Sequence, residues 1–149
     1  MLVIGVGHPD CGDDAAGCLV ARRLRELGLR AIELSGEATT LMNAWEGEQE
    51  VIVVDATLTG ATPGTIQIWD AAAAPLRRES LRCSTHGMGV AEAVELARAL
   101  GRLPAHFRIY GIEGRKFEPG QTPSPEVTAA IEEAARRILE ESGKCTSQD

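Results

Sequence analysis

Two periodicities of apolar residues alternate along this chain, one typical of strands and one typical of helices. Short runs rich in β-branched residues predict five strands, at 2–7, 30–34, 50–54, 65–69 and 107–112. Helical spacing predicts helices after the first, second, fourth and fifth of these runs. This order predicts a single three-layer α/β domain, in which helices cover both faces of a five-stranded, mostly parallel twisted sheet.

The third and fourth strands have different patterns, which indicate different places in the sheet. Residues 51–54 form a continuous β-branched run, as expected of a strand covered on both faces in a parallel sheet. Residues 65–69 follow a Thr-Pro-Gly turn signal and alternate apolar with polar side chains. We therefore expect the fourth strand to have one wetter face and to be an antiparallel edge strand.

The last helix has clear start signals. Ser124 is expected as its N-cap, Pro125 occupies the first helical position, and the helical pattern runs to about Glu141. We assign residues 1–142 to the domain and residues 143–149 to a flexible C-terminal tail.

The composition of the chain limits which binding partners and which cellular compartment we expect. The 149 residues suit one domain, and 15 basic against 22 acidic residues leave a net charge of −7. This charge argues against nucleic acid or an anionic membrane as the main partner. The chain has no basic segment before an apolar signal region and no apolar run near twenty residues, so we expect a cytoplasmic protein.

The four cysteines occur singly, with no CxxC pair. This spacing predicts neither a zinc knuckle nor a thioredoxin-type motif, and reduced thiols are expected. Cys11 lies beside an acidic loop, where it is either a ligand or an incidental loop residue.

Three residues carry the candidate chemistry: Asp14, Asp55 and His86. Each follows a predicted strand or begins the helix after one, which is where an open α/β sheet presents groups to a ligand. Two carboxylates and one imidazole make a plausible incomplete shell for a divalent metal ion.

Each of these residues also has a purely structural interpretation. Asp13 and Asp14 fall in a first helical turn, where one carboxylate suffices as a cap; we interpret Asp13 as the cap. Asp55 could be a turn former, but the following Ala56 and Thr57 do not complete an Asp-Gly turn.

His86 is expected to open a helix with an apolar face. That face contains Val90, Ala93, Val94, Ala97 and Leu100. A helix start disfavours the cationic form of histidine, which would keep the neutral imidazole available as a ligand. A lone histidine at a helix start is also common without any function.

Other site classes fit poorly. Gly5-x-Gly7 begins like a dinucleotide-binding loop, but the third glycine is replaced by Asp10, and an acidic loop would repel a pyrophosphate. The chain also lacks the Gly-Lys-Ser/Thr ending of a P-loop and the GxSxG elbow of a serine hydrolase.

The chain resembles the hydrogenase maturation proteases over nearly its whole length. Four segments carry the resemblance: GVGHPDCGDDAAG, VIVVDATLTGATPGTIQIWD, STHGMGVAEAVELA and YGIEGRKFEPGQTPSPEV. Their order and spacing make the match specific. The chain departs from the family at His8, where asparagine is usual, and at 35–37, where Ser-Gly-Glu replaces a paired glycine.

The resemblance implies an endopeptidase that removes a C-terminal peptide from the nickel-loaded large-subunit precursor of a nickel–iron hydrogenase. The family's catalytic and metal-contacting positions fall on Asp14, Asp55 and His86. The nickel would arrive in the substrate, and no organic cofactor is implied. A bound ion would polarise the scissile carbonyl or lower the pKa of a water molecule, while a carboxylate accepts its proton.

Two alternatives from other classes remain open. The same three residues would serve a non-catalytic, metal-dependent chaperone or binding module for the precursor. A nucleotide-binding α/β domain would need phosphate contacts that the acidic loop disfavours.

Overall fold

A computed structural model describes residues 1–76 and 89–143 of the chain. Its strands are β1 (Leu2–Val6), β2 (Ala31–Leu34), β3 (Glu50–Thr57), β4 (Ile66–Asp70) and β5 (His106–Glu113). Its helices are α1 (Ala16–Glu26), α2 (Ala38–Trp45), α3 (Val90–Ala99) and α4 (Pro125–Glu141), and a 3₁₀ turn (Gly12–Ala15) precedes α1.

The strands form one sheet in the order β2-β1-β3-β5-β4. The first four strands in this order pair in parallel, whereas β4 pairs antiparallel with β5 at the edge of the sheet. The five-stranded, mostly parallel sheet is confirmed, as is the antiparallel edge strand that the alternation at 65–69 predicted.

Each face of the sheet has its own apolar core. Val51 and Val53 of β3 face the cluster formed with α2 and α3, while Ile52 and Val54 face the cluster formed with α1 and α4. Successive side chains of a strand point to opposite faces, so a continuous apolar run serves two cores at once. This arrangement is the predicted three-layer α/β domain.

The prediction that a helix begins at His86 is wrong. Helix α3 begins at Val90, and Gly89 before it has an extended backbone. The amide of Gly89 donates to the carboxylate of Glu92, closing the first turn. Two glycines among residues 87–89 disfavour an earlier start, since each costs about 1 kcal/mol in a helix.

The end of α3 also differs from the prediction. Leu100 is the C-cap and is 55% exposed, so it does not belong to the apolar face of the helix. The other four predicted positions, Val90, Ala93, Val94 and Ala97, are buried as expected.

The last helix ends at Glu141, as its pattern predicted. Residues 144–149 lie outside the described part of the chain, so the flexible tail stays a prediction. In the described ranges, no helix has the length and apolar character needed to cross a lipid bilayer.

Helix α2 begins with a capping carboxylate. Both oxygens of Glu37 accept hydrogen bonds from the hydroxyls and amides of Thr39 and Thr40. The hydroxyls of Thr39 and Thr40, followed by their amides, lower the pKa of Glu37 from 4.5 to about 2. These hydrogen bonds therefore stabilise the ionised form of Glu37 in the folded state.

We expect Glu37→Gln to lower Tm at neutral pH, because glutamine lacks the charge that the cap favours. The stabilisation by Glu37 is complete above its ordinary pKa of 4.5 and is lost as the pH falls toward 2. The Tm difference between the two proteins should shrink over that range in scanning calorimetry. A difference that stays constant with pH would contradict this assignment.

Candidate active site

The candidate site depends on the close approach of α1 to the sheet. A Cβ atom on Gly17 would collide with the backbone carbonyl oxygens of Val6 and Val54. Only glycine permits this contact, which places the start of α1 directly against the ends of β1 and β3. The turn before α1 is thereby held at the carboxyl edge of the sheet.

Asp14 and Asp55 both lie at this edge, and each is 2% exposed. Asp14 belongs to the 3₁₀ turn, and its Oδ2 accepts a hydrogen bond of 3.1 Å from the amide of His8, which follows β1. Asp55 lies near the end of β3, opposite Gly111 of β5. The structure thus brings two of the three predicted residues to one edge as buried carboxylates.

Cys18 lies within electrostatic reach of both carboxylates. Burial raises the pKa of its thiol to about 12, and the charges of Glu33, Asp14 and Asp55 add to the effect. The thiol donates a hydrogen bond of 3.5 Å to the carbonyl of Gly7. It therefore stays protonated at neutral pH, which disfavours Cys18 as a nucleophile or metal ligand.

The interpretation of Asp13 as the cap of the first helix is wrong. Its fully buried carboxylate accepts hydrogen bonds from the amides of Arg115, Lys116 and Ser124 and from the hydroxyl of Ser124. Burial alone would raise the pKa of Asp13, but these donors, led by the Ser124 amide, outweigh it and lower the pKa. Asp13 binds a loop distant in sequence. The Ser124 hydroxyl donates to Asp13 and does not cap α4.

Backbone hydrogen bonds also join the loop 8–12, before Asp13, to the loop 114–121. The amide of Gly12 donates to Gln121, that of Asp13 to Lys116, and that of Gly120 to Asp10. Cys11, which is partly exposed, forms an isolated bridge with Gln121 in the same contact. The loops 8–12 and 114–121 therefore form one wall beside Asp14.

Glu113 is a buried carboxylate that the sequence analysis did not identify. It ends β5 and accepts hydrogen bonds from the Thr57 hydroxyl, from the Thr59 hydroxyl and amide, and from the amide of Gly60. Glu113 ends the apolar run of β5 much as Asp55 follows that of β3. This shared position was the signal available in the sequence.

His86 lies outside the described residues, whereas helix α3, which follows it in the sequence, has a defined direction across the sheet. The Arg98 guanidinium donates a hydrogen bond of 2.7 Å to the carbonyl of Ala71, just after β4. Because β4 is antiparallel, it ends at the amino edge, so α3 ends there and begins toward the carboxyl edge.

The corrected start of α3 removes one argument about His86. Because Val90 opens the helix, His86 is not in its first turn, and the dipole of α3 gives no reason for a neutral imidazole there. Among residues 1–76 and 89–143, no group of three His, Cys, Asp or Glu side chains could hold a metal ion. The assignment of Asp14, Asp55 and His86 as catalytic and metal-contacting residues stays a prediction.

The fold and this edge define a class of protein: a three-layer α/β domain with buried carboxylates where its parallel strands end. Within that class, the family model described as hydrogenase maturation protease matches residues 21–141. The chain therefore belongs to the hydrogenase maturation protease family. The matched range includes Asp55 and His86 and begins after Asp14.

The chain is also similar to individual proteins over most of its length. Protein FrxA of Pyrococcus furiosus is 32% identical over 130 residues, which cover 86% of this chain and 94% of that protein. The hydrogenase 2 maturation protease of Escherichia coli is 26% identical, covering 93% of this chain and 88% of its own length. The solved structure of the hydrogenase maturating endopeptidase HybD from E. coli aligns with a TM-score of 0.77 at 27% identity, covering 95% of this chain and 93% of that one.

We expect Asp13→Asn to lower the free energy of unfolding by about 2 kcal/mol or more, because an amide group would face buried donors and leave some without an acceptor. Urea denaturation measures this loss. Asp10→Asn in the neighbouring exposed loop is the control and should change stability little. Equal stability of the two variants would contradict the role of Asp13 in joining the loops.

Proposed function

We propose that this chain is an endopeptidase that removes a C-terminal peptide from a nickel-loaded hydrogenase large-subunit precursor. One observation carries the proposal: in a member of the hydrogenase maturation protease family, Asp14 and Asp55 are both buried at the carboxyl edge of the sheet. The names of several relatives, such as the hydrogenase 2 maturation protease of Escherichia coli, support this choice of substrate.

The proposed chemistry follows from the kind of ligand that the carboxyl edge offers. Carboxylate oxygens bind divalent metal ions, and Asp14 and Asp55 place two of them at one edge of the sheet. A nickel ion held by thiolates of the precursor would arrive at this edge together with the substrate. Oxygen ligands from Asp14 and Asp55 and a nitrogen ligand from His86 would then complete its shell.

In this proposal the nickel belongs to the substrate, and the chain has no organic cofactor. When bound, the ion would polarise the scissile carbonyl or lower the pKa of the attacking water. One of the two aspartates would accept the proton of that water as a general base. Activity would therefore depend on prior loading of the precursor, since the protease contributes only part of the ligand shell.

We expect Asp55→Asn to reduce the cleavage rate by about 100-fold or more, because a neutral amide is a poor ligand and a poor base. Asp70→Asn, an exposed aspartate where β4 ends at the amino edge, is the matched control. Mass spectrometry of the nickel-loaded precursor measures release of the C-terminal peptide. Full cleavage by the Asp55 variant would remove Asp55 from the catalytic set. Binding by the wild type without peptide release would favour a chaperone.

We expect the wild type to cleave nickel-loaded precursor and to leave nickel-free precursor intact. His86→Gln should greatly reduce cleavage of the loaded form, because a glutamine oxygen is a weaker ligand than imidazole. His106→Gln, at the exposed start of β5, is the control and should cleave normally. Gel mobility of the processed subunit measures both effects. Equal processing with and without nickel would contradict recognition of the substrate metal.

A further inference from the structure

The loop that follows β3 contains an exposed leucine between residues that share one hydrogen-bonding partner. Leu58 is 45% exposed and belongs to neither apolar core of the described residues. It lies three residues after Asp55, at the edge where the candidate site is found. Single exposed leucines are common on protein surfaces, and Leu58 differs from them in how its neighbours are held.

Glu113 fixes the backbone on both sides of Leu58. Its carboxylate accepts 2.9 Å hydrogen bonds from the Thr57 hydroxyl and the Thr59 amide, and it also binds the Thr59 hydroxyl at 2.8 Å and the Gly60 amide at 3.1 Å. Thr57 and Glu113 are register partners on adjacent parallel strands. Leu58 is therefore held between residues that bind the same buried carboxylate.

A loop that only connects two strands does not require hydrogen bonds to a buried carboxylate. Surface loops usually satisfy their amides with water or with backbone turns, whereas this one uses a buried carboxylate, whose desolvation is costly. These hydrogen bonds restrict the backbone of the loop, and the side chain that the loop exposes is apolar. A fixed apolar group beside a proteolytic site is suited to contact a substrate, because little conformational freedom is lost on binding.

We propose that Leu58 contacts an apolar side chain of the precursor, and that Glu113 is a positioning residue that presents Leu58. The inference rests on the proposed function and goes beyond it by naming a specificity contact. Three residues of extended chain separate Leu58 from Asp55, about 10 Å. A substrate in extended conformation would cover that distance with three residues, so the contacted side chain lies within about three residues of the scissile bond.

Steady-state cleavage of nickel-loaded precursor tests the contact. Leu58→Ala should raise KM about tenfold and change kcat less than twofold, because the lost apolar burial weakens substrate and transition-state binding equally. Its Tm should match the wild type, since Leu58 belongs to neither core. Leu100→Ala, a leucine 55% exposed at the amino edge, is the matched control and should keep the wild-type KM.

Glu113→Gln tests the positioning role. Glutamine would present an amide group to the donors of the loop, so the loop should loosen. We expect KM to rise about as much as in Leu58→Ala, while kcat changes little. The double variant L58A/E113Q should have a KM no higher than that of the worse single variant, because both changes remove the same contact. Independent, multiplicative effects of the two changes on KM would overturn the positioning role.

The outcomes separate this inference from the proposed function. A wild type that cleaves the loaded precursor, together with an L58A variant of unchanged KM, overturns only the contact. A wild type that neither cleaves nor binds the loaded precursor overturns the proposed function and the contact with it. If E113Q does not fold, Thr59→Val, which removes one donor to Glu113, replaces it and should also raise KM.

Discussion

Contact between α1 and the ends of β1 and β3 determines what the carboxyl edge of the sheet can do. Gly5 and Gly17 make this contact possible, because a side chain at either position would collide with backbone or with a neighbouring side chain. The contact holds the turn that contains Asp14 against the edge where Asp55 ends its apolar run. A bulkier residue at Gly17 would force these elements apart and separate the two carboxylates.

Among the residues that the structure describes, four buried carboxylates near this edge have two kinds of environment. Asp13 binds the loop 114–124, and Glu113 binds the loop 57–60, each through hydrogen bonds to backbone amides and hydroxyls. They flank Asp14 and Asp55, for which we propose contact with the substrate metal. The loops on either side of the candidate site are thus held by carboxylates whose hydrogen bonds are made within the chain.

Sequence periodicity predicted the sheet well because burial on one or both faces leaves a direct pattern, as in the runs 51–54 and 65–69. The role of Asp13 was predicted wrongly, since its partners lie about a hundred residues away and capping rules describe only local amides. Glu113 was missed because its place at the end of an apolar run, which it shares with Asp55, does not by itself show that the side chain is buried. The start of α3 was misplaced because apolar spacing extended across glycines that disfavour a helix.

The coordination of nickel in the protease–precursor complex tests the account most directly. X-ray absorption at the nickel edge should show added oxygen and nitrogen neighbours when the wild-type chain saturates the loaded precursor, and fewer oxygen neighbours with the Asp55→Asn variant. Such a change would mean that the buried edge completes the shell of the substrate's ion. Identical nickel spectra for the precursor alone and in the saturated complex would contradict the central claim.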